Sequence, residues 1–209
     1  MLIDGIALTF ELFIQLMKLD RRFYERDDVV MIARELLGKV LVTAFDGNVT
    51  SGVITETEAY AGAVDRASHA YNGRRTERTE IMFRQGGTAY IYLCYGVHSL
   101  FNVVTNKSEI PHAILIRALS ALNGKGIMMQ RLHIASIGKN TLAGPGKLSR
   151  ALGIHYSETG TDLTGNTIWI EDRKIKVKNA DVSIGPRIGI DYAGEDAKLP
   201  YRFVWNGGK

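Results

Sequence analysis

The sequence predicts an α+β protein: a single domain with a curved, mostly antiparallel β-sheet, flanking helices and a protruding β-hairpin. Three observations carry this prediction. The chain has 209 residues, and domains cluster near about 150 residues. Its apolar runs are short and few long helices separate them, which disfavours a doubly wound parallel sheet. No internal repeat, low-complexity tract or Pro/Ser-rich linker divides it. Hydrophobic residues make up 45% and charged residues 23%, close to globular averages, so the composition argues against a disordered, collagenous or coiled-coil protein.

Residues 2–19 are apolar, but Asp4, Glu11 and Lys18 interrupt them and no cationic region leads them. Neither a membrane span nor a signal peptide fits. Ile6, Phe10, Phe13 and Met17 recur at helical spacing, so residues 1–20 read as an amphipathic N-terminal extension ahead of one domain at 21–209. After Arg26, Asp27 and Asp28 open a helix that carries Val29, Ile32, Ala33, Leu36 and Leu37, and Gly38 stops it. Strands are predicted at 39–43 and 52–60. Strict alternation in the second places Ile54, Glu56, Glu58 and Tyr60 on one face. Residues 88–105 read as a hairpin turning at Tyr95-Gly96, which puts Tyr95 at the tip. Short helices are predicted at 123–132 and 147–152, and strands at 168–170, 175–177, 182–184 and 202–205.

Net charge is +4, but its distribution says more than its size. Residues 81–156 hold eight bases (Arg84, Lys107, Arg117, Lys125, Arg131, Lys139, Lys147, Arg150) against Glu109 alone, a net +7, which leaves −3 for the remainder. Such asymmetry points to a polyanion, most obviously nucleic acid, or to a chance fluctuation of a solvated surface. Cys94 is the sole cysteine, which excludes an internal disulfide and a Cys-rich zinc site and fits a reducing compartment. His98 and His112 stand at no zinc-ligand spacing relative to Cys94, so no metal is expected.

Two constellations can carry chemistry. TETEAY, at residues 55–60, sets Glu56 and Glu58 beside Tyr60, with His69, Arg74, Arg75 and Arg78 following. A strand carboxylate near a histidine can deprotonate a water; an ordinary ion pair on a solvated face is the alternative. Along 88–104, Tyr90, Tyr92 and Tyr95 fall within six residues in a basic region, the pattern of a surface that stacks on unpaired bases. Packing suffices to explain Tyr90. At a hairpin tip Tyr95 has little core to fill.

TETEAY with His69, the YIYLCYG hairpin with Asn102, HAILIRA around Arg117, GPGKL at 144–148 and RIGIDYAGEDAKLPYRF near the end together resemble, in the same order, the alkyladenine (3-methyladenine) DNA glycosylase family of methylpurine type. The resemblance spans residues 23–203. It implies removal of alkylated or deaminated purines (3-methyladenine, 7-methylguanine, hypoxanthine, ethenoadenine) from double-stranded DNA, by hydrolysis of the N-glycosidic bond without metal or cofactor.

Residue roles follow from the same resemblance. Glu58 matches the general base and Arg117 the arginine that holds its water and favours its ionised form. Tyr60 and Tyr92 match the aromatics around the extruded base, where a cationic alkylpurine gains most from π faces. His69 matches the pocket histidine, acting through its ring or its backbone N–H. Asn102 matches the side chain that crowds the 2-amino group of guanine. Tyr95 matches the intercalating wedge. Arg74, Lys147 and Arg150 are expected at the DNA backbone, whereas Glu56 has no matching role and is expected in an ion pair.

No lysine matches a Schiff-base nucleophile, so a monofunctional enzyme is expected. It should act as a monomer without membrane contact, in the cytoplasm or nucleoid if bacterial and the nucleus if eukaryotic. Two readings compete. A catalytically silent binder of damaged or structured nucleic acid would not need Glu58 beside Arg117. A hydrolase of free nucleosides would need neither the wedge nor the basic segment.

Overall fold

The computed structural model describes residues 17–208; the predicted N-terminal helix falls for the most part outside the described residues. Helix α1 (Arg21–Tyr24) starts where Asp20 accepts a hydrogen bond from the Phe23 N–H at 3.1 Å. Helix α2 (Val29–Glu35) is capped the same way by Asp28, which accepts from the Met31 N–H at 2.8 Å. It buries Val29, Ile32 and Ala33 against the sheet.

Eight strands form one antiparallel sheet: β1 (Val40–Phe45), β2 (Asn48–Tyr60), β3 (Ala89–Cys94), β4 (His98–Thr105), β5 (His112–Asn123), β6 (Ile168–Glu171), β7 (Val182–Gly185) and β8 (Arg202–Trp205). Their order is β3-β4-β5-β2-β1-β6, with β8 pairing both β2 and β7. β2 is the spine. One edge pairs β5 along its length, while on the other Asn48–Val53 pairs β1 and Glu56–Glu58 pairs β8. Helices α3 (Lys125–Leu132) and α4 (Pro145–Leu152) complete the fold, with α4 packed on β4. The main core lies between the sheet and the helices and includes Ile32, Leu36, Leu41, Ile54, Phe101, Ile114, Ile116, Leu148 and Leu152. No helix among the described residues is long and apolar enough to cross a membrane.

Two sequence expectations are corrected. Ile175–Val177 was predicted as a strand, yet residues 172–178 have no ladder partner; Ile175 and Val177 instead press their apolar side chains on the core beside Gly38. The segment has the alternation of a strand without the second strand that would make it one.

The other correction concerns β2. Ile54 pairs Leu119, Glu56 pairs Ala118 and Thr57 pairs Ile116, so Thr55 is an extra residue on β2 and Arg117 an extra residue on β5. These two bulges cancel, and between them the alternation breaks. Ile54 therefore faces the main core, opposite to Glu56, Glu58 and Tyr60. Thr57 and Ala59 also face the core, where the Thr57 hydroxyl donates to the Ala33 carbonyl at 2.7 Å.

Candidate active site

On the sheet face opposite the helices, a cavity of about 260 Å³ opens beside the β3–β4 hairpin, and Tyr60, His69, Tyr90, Tyr92, Tyr95, Asn102, Leu115 and Arg117 all line it. Four different segments supply these residues. β2 supplies Tyr60, the loop after it His69, the hairpin its tyrosines and Asn102, and β5 supplies Arg117. The bulge at Arg117 aims its guanidinium across β2, where Nε donates to Glu56 Oε1 at 2.9 Å and Nη1 to Glu58 Oε2 at 3.3 Å. Glu56 also accepts from Arg202 Nε at 2.7 Å. It is thus held in an ion-pair network, as its sequence context suggested.

Glu58 is fully buried, with 0% of its side chain exposed. It does not itself line the cavity but sits behind Tyr60, Arg117 and Ile188, which do. Its Oε1 accepts from the Ile188 main-chain N–H at 2.8 Å, and its Oε2 from the Tyr60 hydroxyl at 2.9 Å. Burial pushes the Glu58 carboxyl above the ordinary carboxylate range, against the opposing pull of Arg117, the Ile188 N–H and the Tyr60 hydroxyl. Arg117 favours the ionised form, as the sequence suggested. Desolvation outweighs it.

His69 is half-buried. Its Nδ1 lies 2.8 Å from the Tyr90 hydroxyl and its Nε2 3.3 Å from Arg78 Nη2. Arg78 can only donate, so Nε2 is the acceptor and the proton resides on Nδ1. Burial, with Arg78 and Arg74, depresses the imidazole to about 4. The ring is therefore neutral near pH 7 and both nitrogens are engaged, while the His69 main-chain N–H makes no hydrogen bond among the described residues. Tyr92 stands edge-on to His69 at 4.7 Å and tilted over Tyr90 at 5.4 Å. Tyr90 is buried in a small apolar cluster with Met82 and Phe83, the packing role expected for it.

Asn102 is buried, and its Nδ2 donates to the Tyr90 and Leu100 carbonyls, both at 3.1 Å. These bonds fix the amide, leaving the side-chain oxygen free of protein partners among the described residues. Tyr95 is 93% exposed at the tip. The Val97 N–H donates to the Cys94 carbonyl at 3.1 Å, and φ is 51° at Tyr95 and 72° at Gly96. That is a type I′ turn, whose two central residues both need the left-handed region that glycine tolerates and tyrosine does not.

The three residues expected at the DNA backbone lie outside the cavity. Arg74 is exposed with Arg66 and Arg78 around a separate hollow behind His69. Lys147 and Arg150 are exposed on α4, along a groove that begins at Val97 and His98 on the far flank of the hairpin. Arg150 is tethered, its Nε donating to the Arg131 carbonyl at 2.7 Å. The hairpin thus stands between cavity and groove. Among the described residues no cluster of three or more His, Cys, Asp or Glu could hold a metal ion.

Sequence reasoning missed the Ile188 N–H, Arg187 and Tyr192. Tyr192 lines the cavity, and Arg187 lies over the Tyr60 ring at 4.7 Å. All three sit in the RIGIDYAG block, where a main-chain N–H, an arginine and a tyrosine in a loop carry no pattern of their own; only the fold brings them to the site.

The methylpurine-DNA glycosylase (MPG) family profile matches residues 22–209. A protein of Chlamydia felis (strain Fe/C-56) named "Putative 3-methyladenine DNA glycosylase" is 48% identical over 189 residues, covering 90% of this chain and 96% of the relative. Proteins of the same name from Chlamydia abortus and Bacillus cereus (strain G9842) are 47% and 45% identical, covering 89% and 88% of this chain and 97% and 94% of their own lengths. A curved antiparallel sheet with a tyrosine-lined cavity and these matches over nearly the whole chain lead to one conclusion: the chain belongs to the methylpurine-DNA glycosylase family and is a DNA glycosylase of alkylated-base repair.

Proposed function

We propose that the protein turns an alkylated or deaminated purine out of duplex DNA into the cavity and hydrolyses its N-glycosidic bond with a water activated by Glu58. The observation that carries this reading is a fully buried carboxylate, held by the Ile188 N–H, the Tyr60 hydroxyl and Arg117 immediately behind the cavity wall. Burying a carboxylate is costly even when it is paired and hydrogen-bonded, so its placement there favours a chemical role. Extrusion costs a few kcal/mol of stacking and pairing. Tyr95 at the tip is suited to enter the vacated space, and stacking on Tyr60 and Tyr92 returns about 1–3 kcal/mol per contact.

The C1′–N bond breaks with its electron pair passing to the purine, and positive charge develops on the deoxyribose. A water adds to C1′ and gives its proton to Glu58, whose negative charge also stabilises the sugar cation. Cationic lesions such as 3-methyladenine and 7-methylguanine leave without a proton donor. Neutral ones, hypoxanthine and ethenoadenine, need one, and His69, neutral with its Nδ1 proton directed at Tyr90, does not supply it. Asn102, locked by its amide bonds, stands where the 2-amino group of a normal guanine would be crowded; an acceptor oxygen would welcome an amine, so the exclusion is steric.

Arg74, Lys147 and Arg150 would meet phosphates on the two flanks of the hairpin. The enzyme would work as a monomer, without cofactor, and leave an intact abasic site. Its relatives named above are bacterial, which favours the nucleoid as its place of action. Replacing Glu58→Gln is expected to leave affinity for a damaged duplex largely intact while release of free 3-methyladenine falls by orders of magnitude. A variant that releases the base at the wild-type rate would refute Glu58 as the base.

A further inference from the structure

We infer that Arg187 is a positioning residue that sets the Ile188 N–H on Glu58 and the Tyr60 ring in the cavity wall at the same time. Its side chain is wholly buried, as is that of Asp65. Nη1 donates to Asp65 Oδ2 at 2.5 Å and Nη2 to Asp65 Oδ1 at 2.8 Å, a two-pronged pair. The remaining protons of the same nitrogens go to the main chain: Nη1 to the Ala59 carbonyl at 2.8 Å and Nη2 to the Asp196 carbonyl at 3.2 Å. Asp65 is held in turn by the Ala61 and Ala67 N–H groups, both at 3.0 Å. The guanidinium carbon lies over the Tyr60 ring, 4.7 Å from its centroid, and 5.3 Å from that of Tyr201.

Stability does not account for this arrangement. A buried ion pair is often no better than apolar packing of the same volume, and Arg187 Nε remains buried without any partner. Its position in the chain supplies the reason. Ala59 lies between Glu58 and Tyr60, so the bond to its carbonyl fixes the Ala59–Tyr60 peptide, which leads from the residue after the carboxylate into the stacking residue. Ile188 follows Arg187, so the same anchor delivers the N–H that Glu58 Oε1 accepts at 2.8 Å. The Asp65 carboxylate cancels the guanidinium charge, so the anchor adds little net field to a cavity meant for a charged base. A lysine could not reproduce it, because it lacks the planar fork that engages Asp65 and two carbonyls together.

This role rests on the reading of Glu58 as the base, and the test separates the two. Arg187→Lys and the double replacement Arg187→Gln with Asp65→Asn, which leaves no buried charge alone, are compared with wild type and Glu58→Gln. The readouts are thermal unfolding and the single-turnover release of 3-methyladenine as a function of pH. Both variants should fold, lose about tenfold or more in rate, and move the acid limb of the profile to higher pH, because Glu58 has lost the Ile188 donor that lowers its pKa. A merely structural residue would lower the unfolding temperature and leave the limb in place. Folded variants with wild-type rate and profile would overturn the role, as would failure of both to fold, which would make Arg187 a determinant of the fold alone. If Glu58→Gln itself retains the wild-type rate, the underlying reading of Glu58 fails instead.

Discussion

Glu58 and Tyr60 are two residues apart on one strand and joined by a hydrogen bond of 2.9 Å, so the stacking residue is also a ligand of the proposed base. Replacing Tyr60→Phe preserves the ring and deletes the donor. The Tyr60 hydroxyl pulls the Glu58 carboxyl down while burial pushes it up, so its removal raises the carboxyl further. The base must be deprotonated to act, and activity is lost as pH falls through the carboxyl's pKa. The acid limb of the single-turnover profile for Tyr60→Phe is therefore expected at higher pH than wild type, with the high-pH plateau less affected; an unmoved limb would deny the coupling. At this scale the sequence was informative where a residue type is rare at its position. Glu58, Tyr60 and Tyr92 were legible because carboxylates and tyrosines on a strand face call for an explanation, and His69 because it follows them closely, whereas Asn102 and Arg117 were singled out only by the family resemblance. Arg187 and the Ile188 N–H were not legible, since a main-chain donor has no sequence signature and an arginine in a loop has too many bland uses.

At the scale of elements, the hairpin combines a good turn with a poor residue in it. An L-residue in the left-handed region costs roughly 1–2 kcal/mol, and asparagine bears that conformation better than tyrosine. Tyr95→Asn creates the Asn-Gly pair that type I′ turns favour. It should raise stability by about 0.5–1 kcal/mol, or about 2 °C in unfolding temperature for a chain of this size. Affinity for a damaged duplex should fall. Calorimetry and a binding titration of the same preparation check both; a variant that binds lesions as well as wild type would remove the wedge role. The hairpin, the capped helix α2 and strands β1, β2, β6, β7 and β8 could be read from turn residues and alternation, whereas β5 (His112–Asn123) was not among the predicted strands. The facing of Ile54 could not, because a bulge at Thr55 depends on where β5 pairs, which local pattern does not encode. Ile175–Val177 failed for the related reason that a ladder takes two strands.

For the whole molecule, charge is sorted by position rather than by amount. The +7 segment provides the hairpin, Arg117 and the α4 cations, whereas Glu58 and the Asp65–Arg187 anchor lie outside it. Lys147 is exposed on the groove beside the hairpin, so Lys147→Ala is expected to weaken binding to damaged and undamaged duplex alike. It should also reduce the slope of log K against log salt by about 1. Loss of discrimination between the two duplexes, with the slope unchanged, would instead make Lys147 a lesion reader. The paired bulges at Thr55 and Arg117 also limit how such a chain can evolve. Deleting Thr55 would leave Ile54 and Glu56 alternating and so keep Glu58 and Tyr60 on the cavity face, whereas one residue inserted beside it would turn the strand beyond inside out, exchanging Glu58 and Tyr60 for Thr57 and Ala59. Loss of the extra residue on β5 would likewise keep the facing but erase the arginine. Lineages descended from this sheet can therefore drift freely in loop length elsewhere, while insertions beside Thr55 and loss of Arg117 should be purged as surely as changes to the carboxylate itself.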